Sequence, residues 1–161
     1  MRNWIFLFII VIFALLQTSI LDCIDIFNVK PDLLLIAVIY ASLSFEFKYA
    51  LSLSIFAGVL KDVLAVNTFG INTLLFPLVS LLLIKLSREI SLDNNFIYMV
   101  STFIITLLGD IITRIIFLFL GNYILWGIFL RTAILESLYT ALVLPLVFKV
   151  IKPVLYSSRA L

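Results

Sequence analysis

The feature that most restricts the fold of this chain is a series of six apolar runs separated by short polar intervals. No interval exceeds about eleven of the 161 residues, so no soluble catalytic or nucleotide-binding domain fits between the runs. Hydrophobic residues make up 65% of the chain and charged residues 12%. Soluble proteins have roughly 45–50% apolar and about 25% charged residues. The pattern therefore predicts an all-α integral membrane protein, with residues 1–161 forming a single membrane domain that is a six-transmembrane-helix bundle.

The runs predict helices at residues 4–21, 32–45, 49–66, 70–86, 96–120 and 128–151. The first run would rise about 27 Å at ~1.5 Å per residue, close to the ~30 Å apolar thickness of a bilayer. Pro31 and Asp32 are typical of a helix start, because proline suits the first turn and an acid there complements the helix dipole. The first run also fits a cleaved signal peptide, but no small-x-small cleavage site follows it.

The basic residues predict the orientation of these helices. If the amino terminus is cytoplasmic, seven of the eleven lysines and arginines lie in cytoplasmic segments, and the outer loops carry only Lys30. Basic residues are enriched on the cytoplasmic side of membrane proteins, so both termini are expected to be cytoplasmic. The seven are Arg2, Lys48, Lys85, Arg88, Lys149, Lys152 and Arg159.

Three basic and three acidic residues lie inside the predicted helices. They are Lys61, Asp62, Asp110, Arg114, Arg131 and Glu136. A charge at the bilayer centre costs at least ~2.5–3.5 kcal/mol, so we expect these residues to pair inside the bundle. By the predicted orientation, all six fall between the middle of the membrane and its outer surface. The sequence therefore predicts one neutral layer of charges in the outer half of the bundle.

Helical spacing suggests two partners for Arg114. Asp110 precedes it by four residues and faces the same side, so the two can pair within their own helix. Glu136 and Arg131 are five residues apart on the sixth helix and point in different directions, so each needs a partner elsewhere. We predict that Glu136 also reaches Arg114.

The third helix offers the partner for Arg131. We predict an Arg131–Asp62 pair, while Lys61 extends outward to the lipid head groups. Gly58 lies one turn before Asp62, and a glycine at that position lets another helix approach closely. Charge reversal at both members of the Arg131–Asp62 pair is the test of this prediction.

The charged layer has a structural and a functional interpretation. Polar contacts fix helix order at perhaps ~0.6 kcal/mol each, whereas intramembrane carboxylates often mark ion pathways. The inner helix halves are nearly uncharged, which favours the structural interpretation. The chain has no histidine, one cysteine, a net charge of +2, no metal-ligand cluster and no phosphate-binding glycine loop. We therefore predict no catalytic, cofactor or metal site and no nucleic-acid partner.

Three segments carry a resemblance to a known family. They are KPDLLLIAVIYASL at Lys30 to Leu43, FAGVLKDVLAVNTFGINTLLFPLV at Phe56 to Val79, and LLGDII at Leu107 to Ile112. In order and spacing they resemble the successive motifs of the rod shape-determining protein MreD family. The positions that match the marked residues of the family are Pro31, Gly58, Asp62, Gly70 and Asp110.

The resemblance implies a bacterial inner-membrane component of the cell-elongation machinery. Its expected partners are MreC, the MreB filament indirectly, the elongation transpeptidase and glycosyltransferase, and the lipid bilayer. Association into a homo-oligomer is a further possibility. The resemblance also implies a fold similar to the substrate-binding subunits of energy-coupling-factor transporters. A vitamin-binding subunit of that type is the alternative function. Such subunits dock through small residues on the first helix, where this chain has a single alanine, Ala14.

Overall fold

The computed structural model describes residues 2–19, 29–65, 70–89, 95–119 and 125–157. They form six α-helices: α1 (Arg2–Ser19), α2 (Leu33–Ser44), α3 (Phe47–Leu64), α4 (Ile71–Glu89), α5 (Asn95–Phe119) and α6 (Trp126–Ser157). Every boundary except the end of α6 lies within three residues of its predicted position. The prediction ended α6 before Pro153, but the helix continues to Ser157. A proline inside a helix removes one hydrogen bond and bends the helix more readily than it ends it.

The shortest helix, α2, is the centre of the bundle. All nine side chains from Leu34 to Ser42 are buried, and α2 packs against each of the other five helices. A helix that is apolar on every face suits a position where neighbouring helices cover every face, as they do here. The 12 residues of α2 rise only about 18 Å at ~1.5 Å each. The chain before it stays inside the protein, since Val29, Pro31 and Asp32 are also buried.

Helix α1 belongs to the same core. Its buried side chains Phe6, Ile10 and Ala14 form one stripe at helical spacing, and α1 packs on α2, α3 and α6. The Phe6 ring stacks on Tyr40 of α2, with 5.9 Å between ring centroids. The Tyr40 ring meets Phe148 of α6 edge to face at 5.1 Å. A segment cleaved after export would leave this surface of α2 uncovered.

The remaining helices pack most extensively on their sequence neighbours, α3 on α4 and α5 on α6. Helix α2 joins the first of these pairs through a polar contact, because the Ser42 hydroxyl donates to the Ser80 hydroxyl on α4 at 2.9 Å. Both serines are buried. Small hydroxyl side chains of this kind allow helices to approach closely and hydrogen-bond across an apolar interface.

Large apolar side chains cover the outside of the bundle. Phe119, Trp4, Val63 and Leu74 are all more than 70% exposed, while Arg114 is buried. Within the described residues, two helical segments are long and apolar enough to cross a membrane, Ile97–Phe119 and Trp126–Ile151. Exposed apolar side chains of this size and number are typical of a surface that lipid or other protein covers.

Candidate functional site

Asp32 joins four helices at the start of α2. Its Oδ1 atom accepts a hydrogen bond from the Leu35 backbone N–H at 3.1 Å, which caps α2. Its own backbone N–H donates to the Thr140 hydroxyl on α6 at 3.1 Å. Gln17 of α1 reaches the same place, accepting a hydrogen bond from the Leu34 N–H at 3.4 Å. The fourth helix is α3, through an ion pair between the Asp32 carboxylate and the Lys61 ammonium group.

The predicted outward extension of Lys61 is therefore wrong. The Lys61 side chain turns into the bundle, pairs with Asp32 and lies over the Phe76 ring, 5.3 Å from its centroid. The Asp32 side chain is only 4% exposed, and a buried carboxylate without a counter-charge is strongly destabilising. The sequence analysis predicts Asp32 at a helix start but does not predict that its carboxylate is buried. The burial follows from α2, the wholly apolar helix that begins after Asp32 and lies at the centre of the bundle. With Asp32 included and Arg131 exposed, the charged side chains inside the bundle are four acids and two bases, so the predicted neutral layer is not formed.

Asp62 caps the helix that follows its own. Its carboxylate accepts hydrogen bonds from the backbone N–H (3.1 Å) and side-chain amide (2.9 Å) of Asn72. It also accepts from the Thr73 N–H at 2.8 Å and the Thr73 hydroxyl at 2.6 Å. A helix start has unsatisfied N–H groups and a partial positive charge, so a carboxylate is the best acceptor there. Gly70 precedes α4 and has no side chain to cap it, and Asp62 supplies that missing acceptor.

The predicted Asp62–Arg131 pair is accordingly wrong. Both Asp62 oxygens bind the start of α4, whereas Arg131 is exposed on α6, and among the described residues α3 and α6 do not pack together. The spacing of charges along single helices said nothing about which helices are neighbours. The short turn between α3 and α4 brings Asn72 and Thr73 much nearer to Asp62 than any residue of α6.

Two glycines shape the same junction. A Cβ atom added at Gly58 would lie 2.6 Å from the Asn72 carbonyl oxygen and 2.7 Å from the Thr73 Cα, so the backbones of α3 and α4 touch here. Gly70 has a φ of +82°, a left-handed conformation that residues with side chains rarely adopt. The close approach at Gly58 is what places Asp62 within hydrogen-bond distance of α4.

A polar cavity of about 200 Å³ lies between α2 and the four later helices. It brings together Asp32 and Lys61 with two of the predicted site residues, Asp110 of α5 and Glu136 of α6. Its other polar walls include Asn72, and Phe76 and Leu75 close it from α4. Of the six charged residues inside the predicted helices, Lys61, Asp110 and Glu136 share this cavity. The other three do not line it, so the complete layer that the sequence predicts is not formed.

Arg114 is buried but makes neither predicted ion pair. Among the described residues, its Nε and Nη1 atoms have no hydrogen-bond partner, and neither does Asp110 Oδ2. The guanidinium group instead lies over two rings of α6, 5.8 Å from the Trp126 centroid and 5.2 Å from that of Phe129. Cation–π contacts hold it there. The predicted pairs with Asp110 and Glu136 are wrong, because the described residues contain no such ion pair and the guanidinium lies over aromatic rings of α6 instead.

The remaining predicted residue, Pro31, is buried directly before the Asp32 cap. Within the described ranges, no group of three or more histidine, cysteine, aspartate or glutamate side chains could hold a metal ion. We call Asp32, Lys61 and Asp62 together the charged centre. Its contacts join helices: Asp32 links α1, α2, α3 and α6, and Asp62 links α3 to α4.

The architecture is that of a helical bundle with an apolar exterior, held together at one end by buried charges. The chain belongs to the MreD family, because the family model described as rod shape-determining protein MreD matches residues 1–154. Membership implies a role in determining rod shape. Neither the search of curated proteins nor the search of solved structures gave a significant match.

Gly58 and Gly109 form a matched pair for testing the α3–α4 contact. Both are helical, but a Cβ at Gly109 meets nothing within 4 Å. Alanine favours a helix interior over glycine by ~0.8–1.0 kcal/mol, while overpacking costs ~1–3 kcal/mol. We expect Gly58→Ala to lower the thermal unfolding midpoint in mild detergent and Gly109→Ala to leave it unchanged or raise it. Equal shifts in both variants would contradict the contact.

Proposed function

We propose that this chain is a non-enzymatic membrane scaffold of the bacterial cell-elongation machinery that helps maintain rod shape and lateral peptidoglycan synthesis. The match of the MreD family model to residues 1–154 is the observation that carries the proposal. The geometry of the charged centre agrees with a scaffold, because the contacts of Asp32 and Asp62 link helices. A buried network of this type fixes one arrangement of the helices, which a protein that presents surfaces to partners requires.

The proposed location is the bacterial inner membrane, with all six helices inserted and both termini in the cytoplasm. Exposed apolar side chains such as Phe8, Leu74 and Phe119 support it, since lipid favours them and water does not. The two longest apolar segments are sufficient to cross a bilayer. The short α2 is compatible with this location because its residues 34–42 and Val29, Pro31 and Asp32 before it are covered by protein.

The proposed partners are MreC, the elongation transpeptidase and glycosyltransferase, and, through MreC, the MreB filament. The family supplies these expectations, and the shape of the chain agrees with contacts inside the membrane. The connections between helices are short, so the broad exposed faces of the helices are the available surfaces. Among them, the outer face of α1 presents Trp4, Phe8 and Leu15, which are 78%, 67% and 58% exposed.

The alternative function is a vitamin-binding subunit of an energy-coupling-factor transporter. The polar cavity beside Asp110 and Glu136 is the feature that favours it, since a small ligand needs such a space. Docking to a transporter module would need small residues on the outside of α1. The one alanine of that helix, Ala14, is instead 3% exposed and packs in the core. The scaffold therefore remains the proposal.

Two experiments distinguish the scaffold from the transporter subunit: depletion of the chain in cells, and purification of the tagged chain with its partners. Depletion in the rod-shaped source cell should produce round cells, and the tagged chain purified from native membranes should carry MreC. Asp62→Ala should reduce membrane levels of the chain and recovered MreC together, because the start of α4 loses its cap. Lys149→Gln is the control, since it removes an exposed charge of α6. Cells that stay rod-shaped, or a tagged chain that recovers transporter ATPases and supports vitamin uptake, would exclude the scaffold.

Cys23 offers a direct test of the proposed topology. It is the one cysteine of the chain, and it falls in the predicted first outer loop, outside the described residues. A membrane-impermeant maleimide should label it in intact spheroplasts. In a Cys23→Ser, Ser158→Cys variant, labelling should require permeabilised membranes, because the carboxyl terminus is proposed to be cytoplasmic. The opposite accessibility of the two cysteines would reverse the topology.

A further inference from the structure

The groove between α5 and α6 contains charged groups that the helix contacts do not use. Asp110, Arg114 and Glu136 line it, and Phe117 and Phe129 form apolar walls. Its volume is about 190 Å³, and it shares Asp110, Thr113 and Glu136 with the central cavity. The groove and the cavity are therefore adjoining spaces with acids at their common wall.

Arg114 is the second observation that points to a ligand. Its side chain is 3% exposed, yet within the described residues neither Nε nor Nη1 has an acceptor, and Asp110 Oδ2 one turn away has no donor. A large majority of buried side-chain polar atoms in proteins have partners, and a missing partner for a charged group costs more than for a neutral one. Two donors and an acceptor thus lack partners on one groove.

We propose that this groove binds a small zwitterionic group bearing an ammonium and a phosphate or carboxylate. The anionic end accepts a charge-assisted hydrogen bond from Arg114, whose Nε and Nη1 both lack acceptors among the described residues. The ammonium end donates to Asp110 and Glu136. The contacts of Arg114 with the Trp126 and Phe129 rings are cation–π contacts, which leave Nε and Nη1 without an oxygen acceptor among the described residues.

Simpler ligands fit the same groups less well. A lone anion would lie beside the carboxylates of Asp110 and Glu136, and like charges at such distances repel. A lone cation would leave the Arg114 donors without acceptors. The groove has room for roughly six water molecules at ~30 Å³ each, so the part of the ligand inside it is about the size of a lipid head group or an amino acid.

Two sources share this chemistry, the head group of phosphatidylethanolamine and a soluble zwitterion such as phosphoethanolamine. The exposed apolar residues Ile115 and Leu130, which follow the groove residues Arg114 and Phe129 in the sequence, offer a surface for the acyl chains of a lipid. The lipid source rests on the proposed membrane location, whereas binding of the soluble compound does not. Binding is measured on the purified chain, so a failure here is distinct from a failure of the scaffold function in cells.

Native mass spectrometry of the full chain in detergent tests the site. The chain is titrated with phosphatidylethanolamine, with phosphatidylglycerol, which has the phosphate but no ammonium, and with free phosphoethanolamine. We expect one saturable site with about tenfold or greater preference for phosphatidylethanolamine, as loss of a charged hydrogen bond implies. Saturable binding of free phosphoethanolamine, with no added effect of the lipid, would identify a soluble ligand. No saturable binding, or equal affinity for the two lipids, would overturn the proposal.

Variants assign the binding to the groove. Arg114→Gln and Asp110→Asn should each weaken the preferred ligand about tenfold or more, while Lys149→Gln, which removes an exposed charge of α6, should bind like the parent chain. Unchanged binding in both groove variants would overturn the assignment. Circular dichroism checks that each variant retains its helices. If a groove variant unfolds, the comparison of the two lipids on the parent chain still decides the proposal.

Discussion

The ion pair between Asp32 and Lys61 is the interaction on which the arrangement of this bundle depends. Asp32 begins the one helix that contacts all five others, and its carboxylate is nearly inaccessible to solvent. A charge in that position must be matched inside the protein. Lys61 can supply the match only if the end of α3 lies against the start of α2. The pair therefore fixes where the second and third helices meet, and the helices that pack on them are positioned in turn.

The second charged contact extends the same constraint along the chain. Because Gly58 allows the α3 and α4 backbones to touch, Asp62 reaches the start of α4 and satisfies the N–H groups of Asn72 and Thr73. In an apolar surrounding, hydrophobicity does not distinguish one helix face from another, so such directional contacts determine which faces meet. Two adjacent residues of α3, Lys61 and Asp62, thus point to different helices and hold three helix ends together.

The sequence predicted the helices well and the charge contacts poorly, for a physical reason. Run lengths and the Pro31-Asp32 helix start depend only on local chemistry, and the observed helix boundaries follow them closely. Pairing depends on how each helix is rotated against its neighbours, which a periodicity within one helix does not specify. Arg114 was therefore assigned to Asp110 by spacing, although aromatic rings of α6 lie over it. Asp32 was missed because its burial arises from the other helices.

A double-mutant cycle on Asp32 and Lys61 tests the central claim most directly. Unfolding free energies are measured for the parent chain, Asp32→Asn, Lys61→Met and the double variant, where asparagine retains an acceptor for the α2 cap. The pair predicts that Lys61→Met alone costs about 3–5 kcal/mol, because it leaves a buried carboxylate unmatched. The double variant should recover much of that loss. Additive effects of the two substitutions would contradict the account, since the two charges would then stabilise the bundle independently.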